Sequence, residues 1–180
     1  MILCDSPPGT TLFRAHTPQW ATQPTSGAGA AARGGRFNRA GVEALYLSLD
    51  ELTALREYQQ TSAFLPPCTM CSYTVALSGL VDLRQLHHGQ PWDELWHDWR
   101  EDWRHLLLER RIEPPTWVLA DMVRAQGHTG IVFPSLTHAG GTNVVVYADR
   151  LGDGNSVRVN DPDGRLPRDQ SSWSRSDGVR

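Results

Sequence analysis

Lysine is absent from the 180 residues, since every one of the 17 basic side chains is an arginine. A Walker-type phosphate loop, a protein-kinase ATP site and an enzyme that forms a Schiff base with its substrate all need a lysine. These three classes are therefore excluded. Any anion that the protein binds must be held by arginine side chains, backbone N–H groups or helix N-termini.

An excess of basic charge is lacking as well, because the formal net charge is −3. Proteins that bind nucleic acids by neutralising phosphates are usually basic, so we expect no direct nucleic-acid binding. No stretch approaches the roughly 20 apolar residues of a membrane span. The first residues, MILCDSPPG, lack the basic start and apolar run of a signal peptide. We expect a cytoplasmic protein without a membrane partner.

Cysteine is scarce, with only Cys4, Cys68 and Cys71 in the chain. Three cysteines cannot form a disulfide framework, so we expect reduced thiols. Cys68 and Cys71 form a Cys-x-x-C, but no second ligand pair stands at the spacing of a zinc site, and we expect no metal. A G-x-G-x-x-G is also missing, which leaves a hydride-transferring Rossmann domain unsupported.

The most informative stretch that is present runs from residue 34 to 57, GGRFNRAGVEALYLSLDELTALRE. Residues 44–49 alternate, which predicts a strand with its leucines toward the core and Tyr46 on the opposite, more polar face. Asp50 is suited to cap a helix that runs to about Gln60. Glu57 lies off the Leu52 and Leu55 side of this helix, so it is either solvated or directed into a site.

The whole chain predicts one α+β domain over residues 1–160, with a mixed sheet core flanked by helices, and a polar tail over 161–180. Residues 17–33 are predicted to form a loop. Apolar and alternating runs predict further strands at 10–16, 70–77, 80–84, 130–134, 142–147 and 156–160.

A helical insertion is predicted at about residues 85–127. Its first helix covers 90–111, and its second is capped by Thr116 and ended by Gly127. Tryptophans 92, 96, 99 and 103 repeat at helical spacing along the first helix. They either pack into the core or form a surface for a partner, because tryptophan is enriched at interaction hot spots.

Arg14, Arg36, Tyr46, Glu57 and Ser135 together match what one small molecule, NAD, would require. Arginine forks hold a pyrophosphate, and an aromatic face suits the flat cationic nicotinamide ring. Cleavage of the nicotinamide–ribose bond develops positive charge on the sugar, which a carboxylate stabilises. Taken singly, each residue also has a structural or solvent-exposed explanation.

The chain resembles the RES-domain proteins, toxins of bacterial toxin–antitoxin modules. The segments that carry the resemblance are LFRAH, GGRFNRAG, ALYLSLDELTALRE, GIVFPS and GTNVVVY, in the family's order. The resemblance implies a fold related to ADP-ribosyltransferases of the diphtheria-toxin kind, with NAD as the substrate. It also implies a cognate antitoxin that blocks the NAD pocket, and it allows for a homodimer.

The resemblance also implies roles for individual residues. The catalytic set would be Glu57, Arg36 and Tyr46, with Tyr46 as the stacking aromatic. The NAD-binding set would be Arg14, Arg36, Tyr46, Ser135 and Asn143. The segment from about residue 66 to 115 is longer than in compact members of the family.

Three functions follow as hypotheses. The first is a toxin that cleaves NAD and transfers ADP-ribose to a cellular protein, since the tryptophan-rich helix offers a place for an acceptor protein to dock. The second is a toxin that depletes NAD by hydrolysis or phosphorolysis. The third is a non-catalytic module that binds a nucleotide or a partner.

Overall fold

The computed structural model describes residues 1–86, 92 and 94–173. The strands are β1 Leu3–His16, β2 Ala44–Ser48, β3 Thr69–Asp82, β4 Gly130–Pro134, β5 Thr142–Tyr147 and β6 Ser156–Val159. The α-helices of these residues are α1 Ala28–Arg33, α2 Glu51–Gln59 and α3 Pro115–Ala125. The predicted α+β class, a mixed sheet with flanking helices, is confirmed.

The sheet has the strand order β1-β2-β5-β4-β3-β6, and β1 also pairs with β3. Five strands therefore form a closed cycle of pairings, and β6 pairs with residues 73–76 of β3, beyond the residues 80–82 that pair with β4. The β3–β4 pair is parallel and the other pairs are antiparallel. At one end of β2, Phe13 pairs with Ser48 and Ser48 pairs with Asn143, so three strands meet there.

Two apolar clusters lie on the two faces of the sheet. The strand cluster is built from residues of β1–β5 such as Leu12, Leu45, Leu47, Tyr73, Val132 and Val144. The helix-side cluster joins sheet residues to α3 and the insertion through Phe37, Trp96, Trp99, Leu119, Phe133 and Tyr147, with Tyr46 packed against it. The predicted alternation of β2 is confirmed, but the Tyr46 face is a second core rather than a polar surface.

Strand β3 is continuous, whereas the sequence predicts two strands around Gly79. Pairing with β1 runs from Leu3–Val81 to His16–Thr69, and Gly79 stays within the strand at φ +67°. Glycine tolerates this backbone region, so the strand can turn there without ending. β1 is also longer than the predicted 10–16.

The predicted loop at 17–33 contains helix α1. Its sequence, AGAAAR, is short but rich in alanine, the best helix former. Pro18–Trp20 adds one turn of 3-10 helix. The composition of this segment indicates a loop because its glycines, prolines and serines cluster before the alanines.

The predicted continuous helix over 90–111 is wrong within the described residues. Residues 90, 91 and 93 of this prediction lie outside the described ranges, as do residues 87–89 of the predicted insertion and 174–180 of the predicted tail. The described part has a 3-10 helix at Glu94–Arg100 and a π-helical segment at His105–Arg110. Between them, Asp102 Oδ1 accepts hydrogen bonds from the backbone N–H groups of Arg104 and His105, which starts the second segment anew.

Three tryptophans of the stripe belong to the core, and Trp92 packs half-buried against it. Trp96 and Trp99 are 1% exposed and Trp103 is 9% exposed. Trp99 packs edge-on against Phe133 of β4 with ring centroids 6.2 Å apart. Of the two explanations for the stripe, core packing is the one that the structure supports.

Helix α3 begins two residues earlier than predicted. Pro114 is its N-cap and Pro115 its first residue, as suits a residue without an N–H. Thr116 is therefore not the cap but a buried residue of the first turn, and its hydroxyl has no hydrogen-bond partner in the described residues. Gly127 follows the helix at φ +82°, as predicted.

Candidate active site

Helix α2 places the Glu57 side chain against the sheet. Asp50 caps it as predicted, with Oδ1 accepting the Thr53 N–H at 2.8 Å. Thr53 and Ala54 are buried, whereas Leu52 is 50% exposed. The side of the helix that carries Ala54 and Glu57 therefore packs inward, and its leucine side faces outward at this end.

The Glu57 carboxylate is held through one oxygen. Oε1 accepts hydrogen bonds from Ser135 Oγ at 2.7 Å and from Asn143 Nδ2 at 2.6 Å. Ser48 Oγ donates to Asn143 Oδ1 at 2.7 Å and so fixes the amide of that asparagine. Among the described residues, Oε2 of Glu57 has no hydrogen-bond partner, which leaves this oxygen available to a ligand.

Ser135 stands at the junction of β4 and the loop that returns to β5. Its Oγ donates to Glu57 and accepts the backbone N–H groups of Thr137 at 3.2 Å and His138 at 3.0 Å. Its own N–H donates to the Gly141 carbonyl at 2.8 Å. These contacts fix the orientation of the serine hydroxyl, and its hydrogen bond to Glu57 in turn fixes the orientation of the carboxylate.

Arg36 links the site to the insertion. Its Nη1 donates to the carbonyls of Trp99 and Glu101, both at 2.8 Å. Burial lowers the pKa of Arg36, and the nearby Glu57 carboxylate opposes this shift. The guanidinium is therefore anchored at one nitrogen, and its remaining N–H groups have no hydrogen-bond partners among the described residues.

Tyr46 is fixed by both hydrogen bonds of its hydroxyl. The hydroxyl donates to Asn38 Oδ1 at 2.8 Å and accepts the Phe37 N–H at 2.9 Å. Burial raises the pKa of Tyr46, so the phenol stays neutral. The half-buried ring lies in electrostatic range of Arg36 and on the same sheet face as Ser48 and Asn143.

The Gly34-Gly35 pair is required by two different constraints. Gly34 has φ +75°, a region that favours glycine. A Cβ on Gly35 would lie 2.6 Å from the Tyr46 hydroxyl and closer still to Asn38 Oδ1. The first glycine therefore permits the turn, and the second permits the tyrosine to approach the backbone.

Asn38 organises this turn. It is 1% exposed, and its Nδ2 donates to the carbonyls of Ala30, Arg39 and Val42 at 3.0–3.1 Å while Oδ1 accepts from Tyr46. We expect Asn38→Ala to lower the free energy of unfolding by about 2–4 kcal/mol, because each buried polar group left without a partner costs about 1–3 kcal/mol. Urea unfolding followed by circular dichroism measures this change.

Asn160→Ala is the matched control for Asn38→Ala. Asn160 also makes side-chain hydrogen bonds, to Ser72 and Thr74, but it is exposed, so water replaces them. We expect a loss below about 1 kcal/mol in the control. Equal losses in the two variants would contradict the central position given to Asn38.

Arg14 lies apart from the other candidate residues. Its strand neighbour Phe13 pairs with Ser48, so the alternation of side chains places Arg14 on the other face of the sheet. Arg14 pairs there with Cys71 of β3. Burial lowers the pKa of Arg14, with Tyr73 and then Cys71 opposing the shift. Its Nη1 is buried and has no hydrogen-bond partner among the described residues.

The structure thus brings Ser135 and Asn143 into contact with Glu57 and places Arg36 within electrostatic range of it. Two shallow surface hollows near Glu43 and Asp149 lie at the far end of β2 and β5, away from this cluster. In the described part of the chain no group of His, Cys, Asp or Glu side chains could hold a metal ion.

Sequence reasoning misses several residues of this site. Those that the structure adds are Asn38, Ser48, Thr53, Arg104 and His138. Arg104 belongs to the insertion, stacks on the Trp103 ring at 4.7 Å, and lies in electrostatic range of Arg36 and Tyr46. Two of these residues stand inside segments that carry the family resemblance, Asn38 in GGRFN and Ser48 in ALYLSL. Their hydrogen-bond partners, however, lie 8 and 95 residues away along the chain.

Comparison with known proteins places the chain in a family. The model of the RES domain matches residues 11–169. The chain therefore belongs to the RES-domain family. A search of curated protein sequences gives no match.

A solved structure has a similar fold. It is a chain of the crystal structure of the M. tuberculosis MbcT–MbcA toxin–antitoxin complex, with a TM-score of 0.58 and 19% sequence identity. The match covers 87% of the present chain and 84% of the other. At this identity the likeness concerns the fold alone. The described ranges of the present chain contain no helix with the length and apolar character needed to cross a membrane.

Proposed function

We propose that this chain is the toxin of a toxin–antitoxin module, and that its site binds NAD and cleaves the bond between nicotinamide and ribose. ADP-ribose then passes to a cellular protein. The observation that carries the proposal is the Glu57 carboxylate, which Ser135 and Asn143 hold through Oε1 while Oε2 has no partner in the described chain.

The chemistry that this carboxylate supports is charge stabilisation. Departure of nicotinamide leaves positive charge on the ribose, and a fixed carboxylate stabilises it without reorganising. Oε2 is also placed to accept a hydrogen bond from a ribose hydroxyl. Nicotinamide leaves as a neutral molecule, so the site needs no general acid.

Arg36 and Tyr46 supply the binding groups in this proposal. The free N–H groups of Arg36 would donate to the pyrophosphate, and the fixed ring of Tyr46 would stack on nicotinamide. NAD binding by Arg14 stays a separate proposal, because its buried Nη1 lacks an acceptor in the described residues but lies on the sheet face opposite Ser48, away from Glu57.

A cognate antitoxin is the proposed partner. The similarly folded chain comes from a toxin–antitoxin complex. Exposed apolar side chains also stand next to the site, at the end of β2, the start of α2 and the loop after β4. These are Leu49, Leu52 and Leu136, which are 40%, 50% and 47% exposed. They supply the apolar contact that a covering protein segment needs.

Transfer to a protein competes with depletion of NAD by hydrolysis or phosphorolysis. The tryptophan stripe favours transfer in the sequence analysis, but Trp96, Trp99 and Trp103 are buried and Trp92 is half-buried, so the stripe offers little surface to an acceptor. The acceptor protein must therefore approach at another surface. We propose the exposed surface beside Glu57, which carries Leu49, Leu52 and Leu136.

The products of NAD distinguish these outcomes. We would incubate the purified protein with NAD labelled in its adenosine half, with and without cell lysate, and separate the products by mass. Release of nicotinamide with label on a protein is the expected result. Label only in free ADP-ribose or its phosphate would favour depletion, and intact NAD would overturn the proposal.

Arg104 should strengthen NAD binding from the insertion. Its guanidinium has no hydrogen-bond partner among the described residues, although it lies near Arg36. We expect Arg104→Ala to raise KM for NAD about 10-fold with little change in kcat, because an exposed charge-assisted hydrogen bond contributes roughly 1.5 kcal/mol. Steady-state release of nicotinamide measures both constants.

Arg100→Ala is the matched control for Arg104→Ala. Arg100 is also exposed and stacks on a buried tryptophan, Trp99, at 5.3 Å, but it is not among the charges that act on Arg36 or Tyr46. Its KM should stay close to that of the parent protein. Equal effects in both variants would mean that general charge, rather than the position of Arg104, sets the affinity.

A further inference from the structure

The loop after β4 is attached to α2 at two points. Ser135 Oγ donates to Glu57, and one helical turn earlier Thr53 Oγ1 lies 2.7 Å from His138 Nδ1. Thr53 Oγ1 is also 2.7 Å from Asp50 Oδ2. Asp50, Thr53 and His138 therefore form a continuous chain of hydrogen bonds beside the Glu57 carboxylate.

The protons of this chain can be assigned from its chemistry. The Asp50 carboxylate can only accept, and its pKa is lowered, first of all by the hydrogen bond from Thr53. The one hydroxyl proton of Thr53 must therefore point to Asp50. His138 Nδ1 must then carry a proton and donate it to Thr53 Oγ1. In the neutral imidazole, the lone pair consequently resides on Nε2.

Nε2 of His138 is available to a substrate. It has no hydrogen-bond partner among the described residues, and the side chain is only partly buried. The backbone N–H of the same residue donates to Ser135 Oγ, which in turn donates to Glu57. His138 and Glu57 are thus joined through a single serine.

The close contact between the loop after β4 and helix α2 depends on a glycine at position 141. A Cβ on Gly141 would lie 2.9 Å from Thr53 Cγ2 and 3.0 Å from His138 Nδ1, and closer still to Thr53 Oγ1. Any larger residue at this position would push the histidine away from the threonine. The chain therefore keeps glycine where the imidazole must approach α2.

We propose that His138 is the general base that activates the ADP-ribose acceptor, a role that rests on the proposed cleavage of NAD. The electrons of the glycosidic bond leave with nicotinamide, which departs neutral. The acceptor oxygen forms the new bond to the ribose carbon, and its proton moves to Nε2 of His138. Asp50 stabilises the imidazolium through Thr53, and Glu57 is linked to the backbone of His138 through Ser135.

This role narrows the class of acceptor. A phosphate dianion is already a nucleophile and has no need of a base, whereas water or a hydroxyl side chain must lose a proton as it attacks. A base at His138 therefore favours a neutral hydroxyl acceptor, either water or a serine, threonine or tyrosine of a protein. It disfavours phosphorolysis.

His138→Asn separates the chemical role from the structural one. The Asn amide can still donate to Thr53 Oγ1, but it cannot take a proton. We expect nicotinamide release in water to fall about 10²-fold or more, with NAD binding unchanged. Sodium azide, an anionic nucleophile that needs no base, should restore turnover at least several-fold in this variant and form ADP-ribosyl azide. The parent protein should gain little from azide.

Thr53→Val serves as the companion variant. It removes the hydrogen bond and keeps the imidazole, so it should lower turnover less than His138→Asn and respond less to azide. Turnover of His138→Asn equal to that of the parent would overturn the proposal, as would a loss that azide does not restore. Absence of NAD cleavage by the parent protein would instead refute the proposed function itself.

Discussion

Replacement of Glu57 by glutamine should reduce nicotinamide release from NAD by about 10²–10³-fold while NAD affinity changes little. The glutamine carbonyl can still accept the hydrogen bonds of Ser135 and Asn143, so the local geometry survives. What disappears is the negative charge that faces the ribose as nicotinamide departs. The effect should therefore fall on kcat, with isothermal titration of NAD confirming the retained affinity.

Glu51→Gln is the control for this experiment. Glu51 belongs to the same helix, is exposed in its first turn, and makes no side-chain hydrogen bond to the Ser135 loop among the described residues. Its loss removes the same charge from α2 without touching the site, so turnover should match that of the parent. Unchanged turnover in Glu57→Gln would remove the carboxylate from the chemistry and leave a nucleotide-binding module as the better account.

The parts of the fold that could be predicted are those set by local pattern. The leucines of β2 alternate with Ala44 and Tyr46, and this spacing holds whatever the partner strands are. Asp50 caps α2 through its own neighbour Thr53. Both signals involve residues only a few positions apart, and sequence patterns predict structure over this range.

The insertion could not be predicted in the same way. Residues 94–110 have helical spacing and good helix formers, yet the backbone is broken at Glu101 and Asp102. Arg36 binds the carbonyls of Trp99 and Glu101, and Asp102 restarts the chain. A side chain 65 residues away thus overrides local helix propensity, and no local pattern reveals such a contact.

The candidate site shows the same division. Glu57 could be placed on the inward side of α2 from spacing together with family resemblance. The serine and asparagine that hold its carboxylate stand 78 and 86 residues further along the chain, and only the pairing of β2 with β5 brings Asn143 there. His138 carries no sequence signal, because its meaning depends on a threonine that only the fold places beside it.

Arg36 is where the site and the insertion depend on the same side chain. We expect Arg36→Ala to lower the free energy of unfolding by about 1–3 kcal/mol, because two backbone carbonyls lose a charged donor. NAD turnover should fall by more than about 10²-fold, since the loss of pyrophosphate contacts adds to a displaced insertion. Urea unfolding and nicotinamide release measure the two effects separately.

The Arg36→Lys variant separates the effect on stability from the effect on NAD turnover. The lysine ammonium keeps the charge, but it is a point donor and cannot serve the carbonyls of Trp99 and Glu101 and a pyrophosphate at once. We expect most of the stability to return while turnover stays at least about 10-fold below that of the parent. Arg33→Ala, at the exposed end of α1, should change neither quantity. If Arg36→Lys regained full turnover, the fork of the guanidinium would have no role in holding NAD, and Arg36 would act only by anchoring the insertion.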